Sequence, residues 1–249
     1  MWRVVLLVIA LLAMAFAFPH PRVSAASLAD VIVGIGYDSS VSGGRVPNPT
    51  TSFTSLDWPG TILVRVRDVR AGTTVTGERY GPDGKLIWSS SGRWSAGFAL
   101  GWFAFALPIP GTPNEERIGQ WRFVVKLDDA VVREVTFTIN PADRSMLSDL
   151  KATAARNADS FTANYRLGVG ASLFGEDDVA VMHLKKAADI SRRSVYPHLA
   201  LGRHYLKRGM KAEAAQEFAF ARGLLLGVEE AGLQGWLQSV IEEHLKQTE

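Results

Sequence analysis

The chain has 249 residues, of which 47% are hydrophobic and 21% charged, with a formal net charge of +2. That length suits one large or two modest domains, and the composition is that of a packed globular protein. Both excess charges come from Arg3 and Arg22, because residues 1–26 hold no acid, and the remainder balances 25 basic against 25 acidic residues. A neutral body argues against a general nucleic-acid binder, whose affinity rests on neutralising many phosphates. There is no cysteine, which excludes disulfides, thiol nucleophiles, cysteine zinc sites and iron-sulfur clusters.

Residues 1–26 have the plan of an export signal. Arg3 supplies the positive start, Val4 to Phe18 form an apolar run, and Val23-Ser24-Ala25-Ala26 offers small residues for a peptidase. Fifteen apolar residues fall short of the roughly 20 that span a bilayer. The expectation is therefore an exported protein, periplasmic, extracellular or otherwise in the cell envelope. Contact with the membrane is expected only if this segment stays uncleaved.

From 27 to 140 the pattern is short apolar runs broken by turn residues, as in an antiparallel β domain. In Ile62-Leu63-Val64-Arg65-Val66-Arg67 the alternation places Ile62, Val64 and Val66 on one face and the arginines on the other. Further strands are expected over Val31–Tyr37, Thr73–Tyr80, Lys85–Ser89, Phe98–Leu107, Gln120–Leu127 and Val131–Ile139. Gly81-Pro82-Asp83-Gly84 and Asp128-Asp129 have the chemistry of turns. Seven strands in this length suggest a sandwich of two sheets. Phe98–Leu107, apolar on both faces, reads as a central strand. The closing hairpin, Gly119 to Val125 and then Val135 to Ile139, resembles the end of bacterial immunoglobulin-like sandwiches.

Strand alternation stops at Pro141-Ala142-Asp143 and helical spacing follows, so a second domain is expected over 141–249. Met146 to Ala158 reads as a first, capping helix, with Met146, Leu147, Leu150 and Ala154 as its apolar stripe. After it the sequence repeats itself at a spacing of 34 residues. Leu167-Gly168 returns as Leu201-Gly202, Gly175 as Gly209, Ala180 as Ala214, Leu184 as Phe218 and Ala187 as Ala221. This period belongs to stacked helix-turn-helix units. The region resembles tetratricopeptide repeats, with units at about 161–194 and 195–228 and a final capping helix from about Ala231 to Lys246. It departs from that family's pattern at Asn164 and His198, which stand where an early tryptophan is usual, and at Arg192 and Leu226, which stand where a proline closes the unit.

The resemblance implies a concave groove lined by the first helix of each unit. It places Thr162, Tyr165, Arg166, Val169, Leu199, Arg203 and Lys207 along that groove, a basic surface suited to an acidic protein segment or peptide. Trp88, Trp94 and Trp102 in the β domain are alternatively core or a surface on which sugar rings stack. No catalytic or metal site is expected. His183, His198, His204 and His244 lack the spacing of a helical zinc motif, and Ser89, Ser90 and Ser91 have no histidine nearby in sequence to activate them. Glu115-Glu116 and Asp128-Asp129 read as solvated turns, and Val41-Ser42-Gly43-Gly44 lacks the lysine of a phosphate loop. The expected fold is a β-sandwich followed by a helical repeat domain, without cofactor. The expected role is that of a non-catalytic adaptor or scaffold, and the alternative is a carbohydrate- or cell-wall-binding module using the aromatic β domain.

Overall fold

The computed structural model describes residues 25–249. Of the predicted export signal only Ala25 and Ala26 fall among these, and residues 1–24 lie outside the described residues. Among the described residues nine strands form two sheets. These are β1 (Ser27–Ile35), β2 (Asn48–Pro49), β3 (Ser52–Thr54), β4 (Gly60–Val69), β5 (Thr74–Tyr80), β6 (Leu86–Arg93), β7 (Phe98–Leu107), β8 (Gly119–Leu127) and β9 (Ala130–Asn140). One sheet has the order β2-β1-β4-β7 and the other β3-β9-β8-β5-β6.

Each of the seven expected strands is present, most of them shifted or lengthened at one end. Two short strands, β2 and β3, were not foreseen. They are two and three residues long and rich in polar residues and proline, so no alternation marks them. β3 also runs parallel to β9, an exception in an otherwise antiparallel domain. Asp128 and Asp129 both have positive φ, 45° and 68°, the geometry that matches a tight hairpin to strand twist. Ile62, Val64 and Val66 face the second sheet and are buried as their alternation predicts, together with Phe105, Trp121, Phe123 and Phe137.

The expectation of a central strand at Phe98–Leu107 is corrected. β7 is at the edge of its sheet, paired only with β4. Its second apolar face has another cause, since the connection after β1 folds back over the outside of this sheet. Tyr37 accepts a hydrogen bond from Trp102 Nε1 at 2.9 Å, and Gly43 and Gly44 approach Leu100 and Leu63.

Six helices follow among the described residues: α1 (Met146–Arg156), α2 (Phe161–Phe174), α3 (Asp177–Ile190), α4 (Val195–Lys207), α5 (Lys211–Leu224) and α6 (Ala231–Lys246). The hairpins α2-α3 and α4-α5 start 34 residues apart, at Phe161 and Val195. Their crossings use the same positions. A Cβ on Gly168 would stand 2.6 Å from the Leu184 side chain, and one on Gly202 would stand 2.5 Å from the Phe218 ring. A polar tie repeats in the same register. His183 Nδ1 donates to Asn164 Oδ1 at 2.9 Å in the first hairpin, and His198 Nδ1 donates to Glu217 Oε2 at 2.7 Å in the second. Asn164 is fully buried and also donates to the carbonyls of Ala158 and Ser160. Asn164 and His198 therefore hold equivalent places in the two hairpins, each hydrogen-bonded to the second helix of its own hairpin. The buried side chains of the sandwich and the helices merge into one continuous core.

Candidate functional site

The inner face of the helical hairpins is α2 and α4, and the β domain sits on it. The connection from β7 to β8 runs along this face as Pro108 to Arg117, with a short 3-10 turn at Pro113–Glu116. Thr112 caps that turn by accepting from the Asn114 N–H at 3.2 Å, and its hydroxyl reaches the Ile109 carbonyl at 2.9 Å. Asn114 donates to the Pro108 carbonyl at 2.7 Å. The segment thus closes its own polar groups before it meets the helices, as a buried turn must.

Every groove residue named from sequence can be placed. Tyr165 is fully buried, and its hydroxyl donates to the Pro110 carbonyl at 2.6 Å. Burial holds that hydroxyl well above its ordinary pKa, so it stays a donor. Gly111 is required opposite it: its φ is +70°, and a Cβ there would stand 2.4 Å from the Tyr165 oxygen. Arg166 Nε donates to the Leu56 carbonyl at 2.8 Å and pairs with Asp57 at 3.6 Å. Val169 and Leu199 are buried. Thr162 is part-buried at the start of α2.

Arg203 is 7% exposed and donates to Glu115 at 3.1 Å and to Glu116 at 2.7 Å. Lys207 adds contacts of 3.8 and 3.2 Å to the same two carboxylates. Burial alone would raise the Glu116 carboxyl, but Arg203 and Lys207 overcome it and hold the group below its ordinary range. Glu115 also accepts from the Gly111 N–H at 2.7 Å. Glu115-Glu116 is therefore not the solvated turn expected from sequence. It is an acidic hook paired with Arg203 and Lys207 of α4, and the residues expected to line a groove face the chain's own β domain.

Beyond the hook, Arg203 Nη1 donates to His244 Nε2 on α6 at 3.0 Å. Burial, reinforced by Arg203, lowers the His244 pKa to about 4. At the other end of the interface Glu230, just before α6, accepts from the Ala106 N–H at 3.4 Å, while the buried Arg79 donates to the Ala106 carbonyl at 3.3 Å. Burial raises Glu230 and lowers Arg79 to about 10.

Ser172 Oγ lies 2.9 Å from His204 Nδ1, whose Nε2 is 4.0 Å from Asp177. Sequence spacing gave no sign of this trio. The cavity bordered by Ser172, His204, Glu115 and Arg203 is about 10 Å³, room for one water. Ser172 therefore has room for no more than a water beside it, while Asp177 and His204 also border an open cleft of about 520 Å³ with Met182 and Met210. No cluster among the described residues could hold a metal ion, and no helix among them is long and apolar enough to cross a membrane.

The aromatic residues separate. Trp88 is buried against Phe105 and Phe123, with the Arg79 guanidinium 4.8 Å from its ring, and Trp94 is buried against Phe103. Trp102 is 36% exposed, so these three form no exposed row. A different set gathers where the domains meet. Tyr37, Trp58 and Tyr196 wall an open cleft of about 340 Å³ whose floor is Ala104, Ala106 and Thr61. Trp58 packs edge-on against both Tyr165 and Tyr196, with centroids 5.1 and 4.5 Å away. A concave, mostly apolar site of this size at a domain junction is where small ligands and side chains commonly bind. Trp58 stands in a loop, outside any sequence periodicity, and Tyr37, expected from sequence as the end of the first strand, lies two residues beyond β1, so nothing marked either as part of a cleft.

No family model matches the chain, and no curated protein matches it. Among solved structures, the chain is similar to an immunoglobulin-like protein from Pseudomonas aeruginosa at 18% identity. The likeness covers 48% of this chain and 99% of that one, with a TM-score of 0.33. It is also similar to the C-terminal domain of wzt at 12% identity, over 47% of this chain and 74% of that one, with a TM-score of 0.31. A β-glucuronidase from Ruminococcus gnavus is matched at 16% identity over 47% of this chain but only 15% of the enzyme, with a TM-score of 0.20. These likenesses touch about half of the chain, and at such TM-scores they carry no argument about function.

Proposed function

We propose that the chain is a non-catalytic adaptor or scaffold protein of the cell envelope, exported by its N-terminal segment. In this reading α2 to α5 are two tetratricopeptide-like repeats capped by α1 and α6. Their groove holds an acidic segment, and that segment is the chain's own turn Pro108–Arg117. The observation that carries the reading is the pairing of Arg203 and Lys207 with Glu115 and Glu116, which is the peptide-holding chemistry of such grooves used in cis. The repeats then brace the β domain, and the external partner binds outside the groove. The histidines support a structural role, since His183, His198, His204 and His244 are each engaged with another helical side chain.

The cleft of Tyr37, Trp58 and Tyr196 beside the exposed Trp102 favours a second reading, a carbohydrate- or cell-wall-binding module. The two are separated by offering the mature chain envelope proteins and purified cell wall in parallel, each against an Ala104→Arg variant of unchanged circular dichroism. Protein capture lost in the variant supports the adaptor, and cell-wall capture lost in the variant supports the second reading. Capture of neither contradicts both.

A further inference from the structure

The two sheets have four edges, and three of them are short or covered. β2 and β3 are two and three residues long. β6 lies against α6, where a Cβ on Gly232 would stand 2.4 Å from the Ser89 carbonyl oxygen and the Ser90 side chain. β7 is different. It is ten residues long and contains no charge and no proline, and it pairs with β4 from Gly60↔Leu107 to Arg67↔Leu100 and again, in the same register, at Val69↔Phe98, with Asp68 at φ 54° between them. Charges, prolines and bulges are the devices that keep an edge from pairing, and none is present in this strand.

The backbone direction follows from one residue. The Ala106 N–H and carbonyl bond to Glu230 and Arg79, so both point away from β4. In an antiparallel ladder these directions alternate, so the N–H and carbonyl groups of Leu100, Trp102 and Ala104 also point to the open edge. Ala104 and Ala106 are at the same time the floor of the aromatic cleft. Exposed Phe98 and Trp102, 49% and 36%, extend the apolar surface along the strand.

We propose that the open edge of β7 from Phe98 to Ala104 takes an extended segment of a partner protein as an added strand. One apolar side chain of that segment would sit in the Tyr37–Trp58–Tyr196 cleft. Donors and acceptors repeating at strand spacing match an extended peptide backbone, and a neighbouring pocket supplies side-chain preference. Glu230 occupies the edge at Ala106 and fixes where the added strand ends. The proposal rests on the adaptor reading and names the site and conformation of its partner.

The test is amide hydrogen exchange on the full chain with blocked heptapeptides that alternate threonine with valine, isoleucine or phenylalanine. Exchange at Leu100, Trp102 and Ala104 should slow by about tenfold or more. The same peptides N-methylated at the edge-facing positions should give no slowing, and an Ala104→Arg variant should lose it. Should that variant fail to fold, the N-methylated peptides give the same comparison on the wild type. Unchanged exchange, or equal slowing by N-methylated peptides, overturns the proposal. Slowing that depends on protein concentration without peptide overturns it in favour of pairing between two copies. An envelope protein captured while the β7 amides still exchange freely would sink strand addition and leave the adaptor reading standing.

Discussion

The two faces of the helical hairpins use the same 34-residue register in different ways. α2 buries eight residues and α4 nine, distributed around much of each helix, whereas α3 buries only Ala180, Leu184 and Ala187, and α5 only Ala214, Phe218 and Ala221. A helix buried on one stripe has one neighbour, and a helix buried on several faces has more. The outer helices leave Met182 and Phe220 more than half exposed. The inner helices carry a second layer, which is the β domain. The asymmetry identifies the inner face as the one with a resident partner.

Breaking that layer should have the largest effect. Tyr165→Ala removes a fully buried ring and its bond to Pro110, so a loss of about 3–5 kcal/mol in urea unfolding is expected. Met182→Ala on the outer face should stay within about 0.5 kcal/mol. Equal losses at both sites would erase the distinction between the faces. Arg203→Met leaves the buried Glu115 without its closest cation and should cost about 3–5 kcal/mol by the same measurement. Glu115→Gln in the Arg203→Met background should recover part of that loss, because the stranded charge is gone.

Gly202→Ala tests the helix crossing, which both faces share. The new methyl meets the Phe218 ring at 2.5 Å, and overpacking of this kind costs about 1–3 kcal/mol. A Phe218→Leu partner should relieve it, and additive losses would contradict the contact.

The last effect shows only as the pH is lowered, in acid stability. His244 has an ordinary pKa of 6.5 and a folded value of about 4. The unfolded chain takes up a proton as pH falls through 6.5, whereas the folded chain does not until about 4. Stability is therefore unaffected by this group above 6.5 and falls between 6.5 and 4, by about 3 kcal/mol at most. Glu116, held below its ordinary value, adds a loss below about 4.5. His244→Gln should flatten the window from 6.5 to 4.5 in the melting temperature, and an unchanged slope would assign it to another group.

Much of the frame was legible. The strand at Phe98–Leu107, the change of regime at Pro141 and the helix at Ala231–Lys246 follow from local periodicity, and the pairing of Gly168 with Gly202 follows from the 34-residue repeat. What stayed hidden was long-range. Arg203 and Glu115 lie 88 residues apart, and a sequence shows both charges without showing that they meet. One sign was available: α2 has a single charged residue, Arg166, in its fourteen. That is too few for a helix with one face in water, and it marked the inner face as covered. β7 was misplaced for a related reason, since a loop folding over the outer face of a sheet produces the same two-sided apolar pattern as a central strand.

The central claim is that the chain's own acidic turn fills the groove. Zero-length carbodiimide coupling in dilute solution tests it directly, because Lys207 Nζ and the Glu116 carboxylate are 3.2 Å apart. Peptide mapping should find an intramolecular amide joining Lys207 to Glu116 or Glu115 in the monomer. Lys207 left uncoupled, or joined only to a second molecule, would show the groove open and contradict the account.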